Sequence, residues 1–518
     1  MARIFTSMFA DVEIPDVPVH QYVFERADEF PDRVAILDGP TGRAYTFVEL
    51  RNAVASFAGG LAAHGFGKDD TLAIIAPNIP EYAIVFHAVS MVGGTVTTVN
   101  PTYGPEEIAF QLSDAGATIA VTVELFRDNV EKAAAQAGGI RDIVLLGEGG
   151  GGTPFTDYLA APFTAQVDID PSNDVVVLPY SSGTTGLAKG VMLTHRNLVA
   201  NMAQFIPPMG FEPGTEVSLA VLPFFHIYGM QVLMNASLRI AGTLITMPRF
   251  DLEQFLTLIQ QHRVTRAYVV PPIVLALAKH PLVADFDLSS LDVVFSGAAP
   301  LSAELAAEAA ARVGCDVVQG YGMTELSPVT NLTPPGAYKA GTSGVNVPNQ
   351  ELRIVDPDTG ADLDVDQEGE LWYRGPHVMK GYLNNEEATR ATITDDGWLR
   401  TGDIGRIDAD GHVTITDRLK ELIKVKGFQV PPAELEGLLL THPDIADAAV
   451  IGVPDEESGE LPKAFVVPKP GTDVGVDDVK AHVAAHVATY KHLGEVEFID
   501  AIPKSASGKI LRRELRAR

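Results

Sequence analysis

Tyr180-Ser181-Ser182-Gly183-Thr184-Thr185-Gly186-Leu187-Ala188-Lys189-Gly190 follows the apolar run 175–178, which reads as a buried strand opening into a loop. The loop gathers four Ser/Thr hydroxyls, three glycines and one lysine. Glycines let the backbone fold tightly, so successive N–H groups converge on an anion. The hydroxyls and the ammonium add donors and charge. That is the chemistry of gripping the phosphates of a nucleoside triphosphate. The loop is not of the Walker type, which needs Gly immediately before Lys and Ser or Thr immediately after it. Here Ala188 precedes Lys189 and Gly190 follows.

Outward from this loop, short apolar runs alternate with helical patterns. Residues 71–76 read as a strand, Pro80 suits a first helical turn, and 81–92 carry helical periodicity. Gly93-Gly94 end that helix before a strand at 95–99. Further strand-like runs fall at 117–123, 142–146, 218–222, 243–247, 266–270 and 291–295. Strands alternating with helices predict βαβ units and largely parallel sheets covered by helices. Near Glu351 the rhythm changes to short strands with polar turns ending at 412–416, a small β subdomain. A compact α+β segment follows from Leu419. The expected class is therefore α/β: a large N-terminal domain of βαβ-layered sheets with a small β subdomain, then an α+β C-terminal domain. There is no internal repeat and no low-complexity tract.

At 518 residues the chain is too long for one core and is expected to split into at least two domains. A 46% hydrophobic composition predicts a soluble globular protein. Residues 1–11 hold one Arg and no long apolar core, so no secretory signal is expected, and no apolar run approaches the ~20 residues that cross a bilayer. Cys315 is the only cysteine, which excludes an internal disulfide and a Cys-cluster metal site and suits a reducing cytoplasm. Residues 514–518 carry no peroxisomal address. The net charge of −29 argues against nucleic acid or an anionic membrane as partner. An anionic ligand must therefore be held by local Lys, Arg and metal charge.

Four further segments carry chemistry. In Gln319-Gly320-Tyr321-Gly322-Met323-Thr324-Glu325 the glycines admit a ligand close to the backbone and Tyr321 offers a flat face to a base. Glu325 is an oxygen ligand suited to Mg²⁺. Ser296-Gly297-Ala298-Ala299-Pro300 supplies small residues that can floor a base. Thr401-Gly402-Asp403 presents a carboxylate able to accept from both ribose hydroxyls. Pro503-Lys504-Ser505-Ala506-Ser507-Gly508-Lys509 puts a lysine on a small-residue loop that can reach into a cleft. Each segment alone also reads as an ordinary turn. In the order 180–190, Phe225-His226-Ile227-Tyr228-Gly229, 319–325, 369–382, 401–403, 417–430 and 504–509 they resemble, over nearly the whole chain, the acyl-CoA synthetases of the adenylate-forming superfamily. Within it the chain resembles 4-coumarate:CoA ligases and related acyl-CoA ligases.

The resemblance implies a carboxylate:CoA ligase (an AMP-forming acid–thiol ligase) using ATP, Mg²⁺ and CoA. An acyl-adenylate forms first and the CoA thiolate then attacks it. Ser181, Ser182, Gly183, Thr184, Thr185, Gly186 and Lys189 would grip the phosphates, with Thr184 and Glu325 at the metal. Gln319, Gly320, Tyr321 and Thr324 would line the nucleotide, and Asp403 and Arg418 would hold the ribose. Lys509 would bridge carboxylate and α-phosphate. Residues 417–420, with Lys420 as pivot, would form a hinge between a domain at 1–416 and a mobile lid at 421–518. Rotation would withdraw Lys509 and bring in Lys424, Lys426, Gly427 and Gln429. Arg249, Lys426 and Gly427 would contact CoA, and His226 would sit beside the carboxylate and gate the thiol channel. Tyr228, Phe295, Ala298, Gly320, Gly322 and Val329 match positions lining the acyl pocket, implying an aryl (hydroxycinnamate-like) or medium-chain acid. Transfer to a carrier protein and luciferase-like oxygenation share the adenylate step; the Lys424–Gln429 stretch favours CoA.

Overall fold

In this computed structural model residues 3–147, 150–181, 188–425, 428–455, 458–505 and 508–518 are described. Two large sheets build the first part of the chain. One has eight strands in the order Gly381–Tyr382, Lys189–Thr194, Val175–Ser181, Thr95–Thr98, Thr71–Ile75, Ala117–Val123, Asp142–Leu146 and Thr153–Pro154. From Val175–Ser181 onward its neighbours run parallel. The other has seven strands in the order Asp316–Gln319, Val293–Ser296, Arg266–Val269, Val217–Ala220, Thr243–Thr246, Val34–Asp38 and Ala44–Thr46, parallel except at the last pair. Helix Pro80–Met91 touches strands of both sheets and is buried on every side. Its run of Tyr, Ile, Val and Phe leaves no polar face to turn to water.

The βαβ reading holds in this region, with most strand ends within a residue or two of the expected ones. The run expected at 291–295 starts instead at Val293, because the amides of Leu291 and Asp292 turn to the carbonyls of Leu288 and Thr265. Strands Phe5–Thr6 and Val34–Asp38 were not signalled by local pattern. Phe5 pairs with the remote Leu352, and Ile36 pairs both with the nearby Tyr45 and with the remote Leu244.

The small β subdomain is an antiparallel five-stranded sheet, Phe5–Thr6, Glu351–Val355, Gly369–Arg374, Leu399–Ile407 and Val413–Arg418. A three-stranded sheet, Tyr321–Gly322, Val329–Leu332 and Val345–Asn346, lies beside the end of the seven-stranded one. Beyond it the hairpin Ile445–Asp455 with Gly459–Pro468 carries helices Pro432–Leu439 and Val476–Ala484 over cores of its own, separate from the large core. Asp417 and Arg418, placed in the expected hinge, are still paired within the sheet, Arg418 opposite Asp403. The chain leaves the sheet at Leu419 and Lys420. Among the described residues no helix is long and apolar enough to cross a membrane.

Candidate functional site

The site lies where the seven-stranded sheet ends and the C-terminal segment closes over it. Strands Val293–Ser296 and Asp316–Gln319 are parallel neighbours, so the turns that follow them, at 297–301 and 320–325, emerge side by side. Glycine is needed in both for close approach. A Cβ at Gly297 would stand 2.8 Å from the Tyr228 ring, and one at Gly320 would stand 2.7 Å from the Phe295 ring. Ala298 takes a left-handed backbone, φ +69°, which few side chains adopt. Gln319 spends both ends of its amide on the Leu301 main chain, at 2.9 Å each, so its side chain braces the 297–301 turn.

Tyr321 and Asp403 meet at the rim. The Tyr321 hydroxyl donates to Asp403 Oδ2 at 2.6 Å, and Arg418 Nε lies 3.3 Å from Oδ1. The strand register explains this, since Asp403 and Arg418 are opposite one another across neighbouring strands. Burial and the Asp403 charge push the Tyr321 phenol well above its ordinary range, so it stays a hydrogen-bond donor. Thr324 follows in the short helix Thr324–Leu326, next to the buried Glu325.

Lys509 is delivered from the far end of the chain by a turn in which the Ser505 amide donates to the Lys509 carbonyl, at 2.8 Å, and the Lys509 amide to Ser505 Oγ, at 3.1 Å. That turn is seated on the large domain: a Cβ at Gly508, whose φ is +78°, would come within 3.2 Å of Val270. Burial, then the neighbouring Arg418, lowers the Lys509 ammonium to about 8. His226 feels Lys509 in turn. Burial first and then that positive charge lower the imidazole to about 4, so it is neutral. The Tyr228 amide donates to His226 Nδ1 at 3.3 Å, which leaves the ring proton on Nε2. His226 precedes the π-helical segment Tyr228–Asn235, a backbone irregularity that turns Tyr228 towards the site.

Ser181 and Lys189 pair across the two strands that carry the phosphate-type loop, so its two ends stand together. Ser182, Gly183, Thr184, Thr185 and Gly186 lie outside the described residues, as do Lys426 and Gly427. Lys189 Nζ sits 4.8 Å from the centre of the Tyr382 ring, and the Tyr382 hydroxyl donates to Glu325 Oε1 at 2.8 Å. Tyr382 thus couples the loop lysine to the candidate metal carboxylate, a link that sequence spacing did not signal. Among the described residues no group of three or more His, Cys, Asp or Glu could hold a metal alone.

An apolar cavity opens beside His226. Tyr228, Phe295, Ala298, Gly320, Gly322 and Val329 all line it. Sequence reasoning missed Phe205, Met209, Val232, Tyr268 and Leu332, which also line it. They sit inside apolar runs and have the pattern of core residues. The space beside Gly320 is not spare length, because the Phe295 ring fills it.

Three predicted residues are elsewhere. Lys424 and Gln429 face each other across an exposed hairpin of the C-terminal domain, where the described contacts are to that domain's own Glu460 and Gly459. Arg249 is exposed on the turn after Thr243–Thr246 and pairs with no described residue. Lys509, not Lys424 or Gln429, is the residue brought to the crevice.

Comparison with known proteins agrees with this geometry. The model of the AMP-binding enzymes matches residues 23–383, and that of the AMP-binding enzyme C-terminal domain matches 434–509. The chain belongs to the AMP-binding enzyme family. A curated relative of this AMP-binding enzyme is 4-coumarate–CoA ligase 5 of Oryza sativa subsp. japonica, 44% identical, with 99% of this chain and 97% of the rice protein covered. Among solved structures it resembles ATP-bound MatB from Rhodopseudomonas palustris, with TM-score 0.89 and 30% identity over 97% of this chain and 99% of that one. Against the apo form of MatB the TM-score is 0.78. The whole-chain arrangement is thus nearer the nucleotide-bound one. Anthranilate CoA ligase AuaEII in complex with anthranoyl-AMP gives TM-score 0.90 at 25% identity, covering 97% of each chain.

Proposed function

We propose that this enzyme joins an aryl or medium-chain carboxylic acid to CoA at the expense of ATP, through an acyl-adenylate. The observation that carries the reading is one crevice holding Lys509, neutral His226 and the Asp403–Arg418 pair at the opening of an apolar cavity. Similarity to a rice 4-coumarate–CoA ligase and to an anthranilate CoA ligase supports an aryl acid.

In the first step a carboxylate oxygen attacks the α-phosphorus of ATP, and pyrophosphate leaves with the electrons of the broken P–O bond. Asp403 accepts from the ribose hydroxyls, with Tyr321 and Arg418 fixing its two oxygens. Protonated Lys509 sits where negative charge grows on the carboxylate and α-phosphate, which is electrostatic stabilisation by a preplaced cation. His226 offers its Nε2–H to a carboxylate oxygen. Glu325 fits as a ligand of magnesium: it is a buried carboxylate held in place through one oxygen by Tyr382. When bound, the ion would neutralise phosphate charge. Ser181 and Lys189, with the loop between them, would meet the terminal phosphates.

In the second step the CoA thiolate attacks the acyl carbon and AMP leaves. Lys424 and Gln429 serve that step only after the C-terminal domain turns about 417–420, since here they stand exposed. Arg249 would contact CoA.

The test is two measurements in series. Pyrophosphate release should need a carboxylate but no CoA, and AMP with thioester should appear only once CoA is added. Pyrophosphate release that ignores the carboxylate, or adenylate that CoA does not discharge, would defeat the reading.

A further inference from the structure

We infer that Asn78 is a positioning residue for His226. Its carboxamide ties the loop that carries the histidine to the other large sheet, and without that tie the imidazole loses its place beside the substrate carboxylate. The inference rests on the acid–CoA ligase reading above, in which His226 meets that carboxylate.

His226 ends the connection 221–226, which leaves strand Val217–Ala220 of the seven-stranded sheet and leads to the π-helical segment Tyr228–Asn235. Local bonds turn this connection. The His226 amide donates to the Pro223 carbonyl at 3.1 Å, and the Met230 amide donates to the His226 carbonyl at 3.0 Å. Its place in the molecule is set from the eight-stranded sheet. Asn78 follows strand Thr71–Ile75 of that sheet, two residues before helix Pro80–Met91. Asn78 Nδ2 donates to the carbonyls of Ala220, at 2.9 Å, and Leu222, at 2.8 Å, while Oδ1 accepts from the Phe224 amide at 2.8 Å. Thr98 closes the parallel neighbour strand Thr95–Thr98 and donates to the Phe225 carbonyl at 2.8 Å. Four main-chain groups between Ala220 and Phe225 are thus held by two side chains.

Both side chains are buried, so water does not stand in when either is removed. A primary amide carries two N–H donors and a carbonyl acceptor on one short side chain, and all three are used here. Aspartate has the shape but lacks the donors. Phe224 packs edge-on against Tyr82 of helix Pro80–Met91, with ring centres 5.5 Å apart, which keeps the loop against the core without Asn78. The amide therefore fixes the course of the main chain more than its burial. That course reaches the imidazole directly, because His226 Nδ1 accepts from the Tyr228 amide at 3.3 Å and the ring takes its orientation from the backbone. A shift of the loop is passed to Nε2, the atom that offers its proton to the carboxylate. Asn78 itself does not line the acyl cavity, so its effect on the reaction runs through His226.

The experiment measures carboxylate-dependent pyrophosphate release for the native enzyme, Asn78→Ala, His226→Ala and the double variant, each assayed below its own unfolding temperature. Asn78→Ala should lower kcat/KM for the carboxylate by about 10- to 100-fold, the cost of misplacing a reacting group by ~1 Å. KM for ATP should stay at its native value. In the His226→Ala background the same substitution should cost nothing further, because the group it positions is gone. Native kcat/KM in Asn78→Ala overturns the inference. So do losses that multiply in the double variant, or a KM for ATP that rises as far as the carboxylate term falls, since Asn78 would then act on the fold as a whole. Thr98→Val keeps the side-chain shape and removes only the bond to Phe225. It should repeat the pattern with a smaller loss, and it decides the matter if Asn78→Ala does not fold: a Thr98→Val loss that persists without His226 overturns the inference equally. A His226→Ala enzyme as active as the native one removes the role of His226, and this inference with it. Native enzyme that releases no pyrophosphate with any carboxylate defeats the ligase reading itself.

Discussion

Replacing Lys509 separates the two half-reactions, and the pH at which the native enzyme loses the first shows why. The ammonium is buried beside Arg418, which holds its pKa at about 8 in the free enzyme. Only the charged form can stabilise the growing negative charge, so kcat/KM for pyrophosphate release should fall as pH rises through about 8. By pH 9 about one-tenth of the lysine keeps its proton, a roughly tenfold loss. His226, at about 4, is already neutral above pH 5, so it adds no acid limb between pH 5.5 and 7. The same shift has a stability consequence. Because the folded pKa lies below the ordinary 10.5, burying the ammonium weakens the fold below pH 8, and that penalty is relieved between about 8 and 10.5. The assay runs pyrophosphate release against pH for native enzyme, Lys509→Arg and Lys509→Ala. In parallel it follows thioester formation from supplied acyl-AMP. Lys509→Ala should cripple the first reaction and spare the second. Lys509→Arg should abolish the alkaline limb at whatever rate it retains, since a guanidinium does not deprotonate in this range. An alkaline limb that survives in Lys509→Arg, or equal loss of both half-reactions in Lys509→Ala, would refute the assignment.

Phe295→Ala should shift preference towards bulkier or longer acids as a graded change in kcat/KM along a chain-length series, because its ring bounds the cavity beside Gly320. It should also lower stability by roughly 3 kcal/mol, near the low end for Phe to Ala because the ring already borders a cavity. A folded variant with an unmoved profile would show that the ring does not set the length. Lys420→Pro should leave pyrophosphate release nearly intact and slow thioester production. The Lys420 amide donates to no described backbone carbonyl, so proline removes no bond here and acts by restricting rotation; an unchanged thioester rate would exclude Lys420 as pivot. Tyr382→Phe keeps the ring beside Lys189 but frees Glu325, and should slow pyrophosphate release about tenfold, the loss of one hydrogen bond to a charged group. Tyr382→Leu should lose more. Equal rates in all three forms would show that the tyrosine positions neither group.

Much of the parallel-sheet framework was legible because its strands are short apolar runs between helices, and such a run needs no information from afar. Thus 117–123 and 142–146 coincide with Ala117–Val123 and Asp142–Leu146. The chemistry-bearing segments were legible for a similar reason. Phosphate, ribose and metal demand particular groups, and Gly-rich turns with Ser, Thr, Asp and Lys stand out against an apolar chain.

Contacts made by distance in sequence were not legible. Phe5 and Ile36 pair with Leu352 and Leu244, partners met only after collapse. Met209, Val232 and Tyr268 look like core in the sequence, and whether an apolar side chain meets another or an empty space depends on the packing around it. That the Gln319 amide braces the Leu301 main chain was likewise not legible. Sequence alone determined the family and the α/β class. Only the tertiary structure decided which of two rival lysines stands in the crevice, because Lys424 and Lys509 ride on one domain and its seating against Val270 admits just one of them.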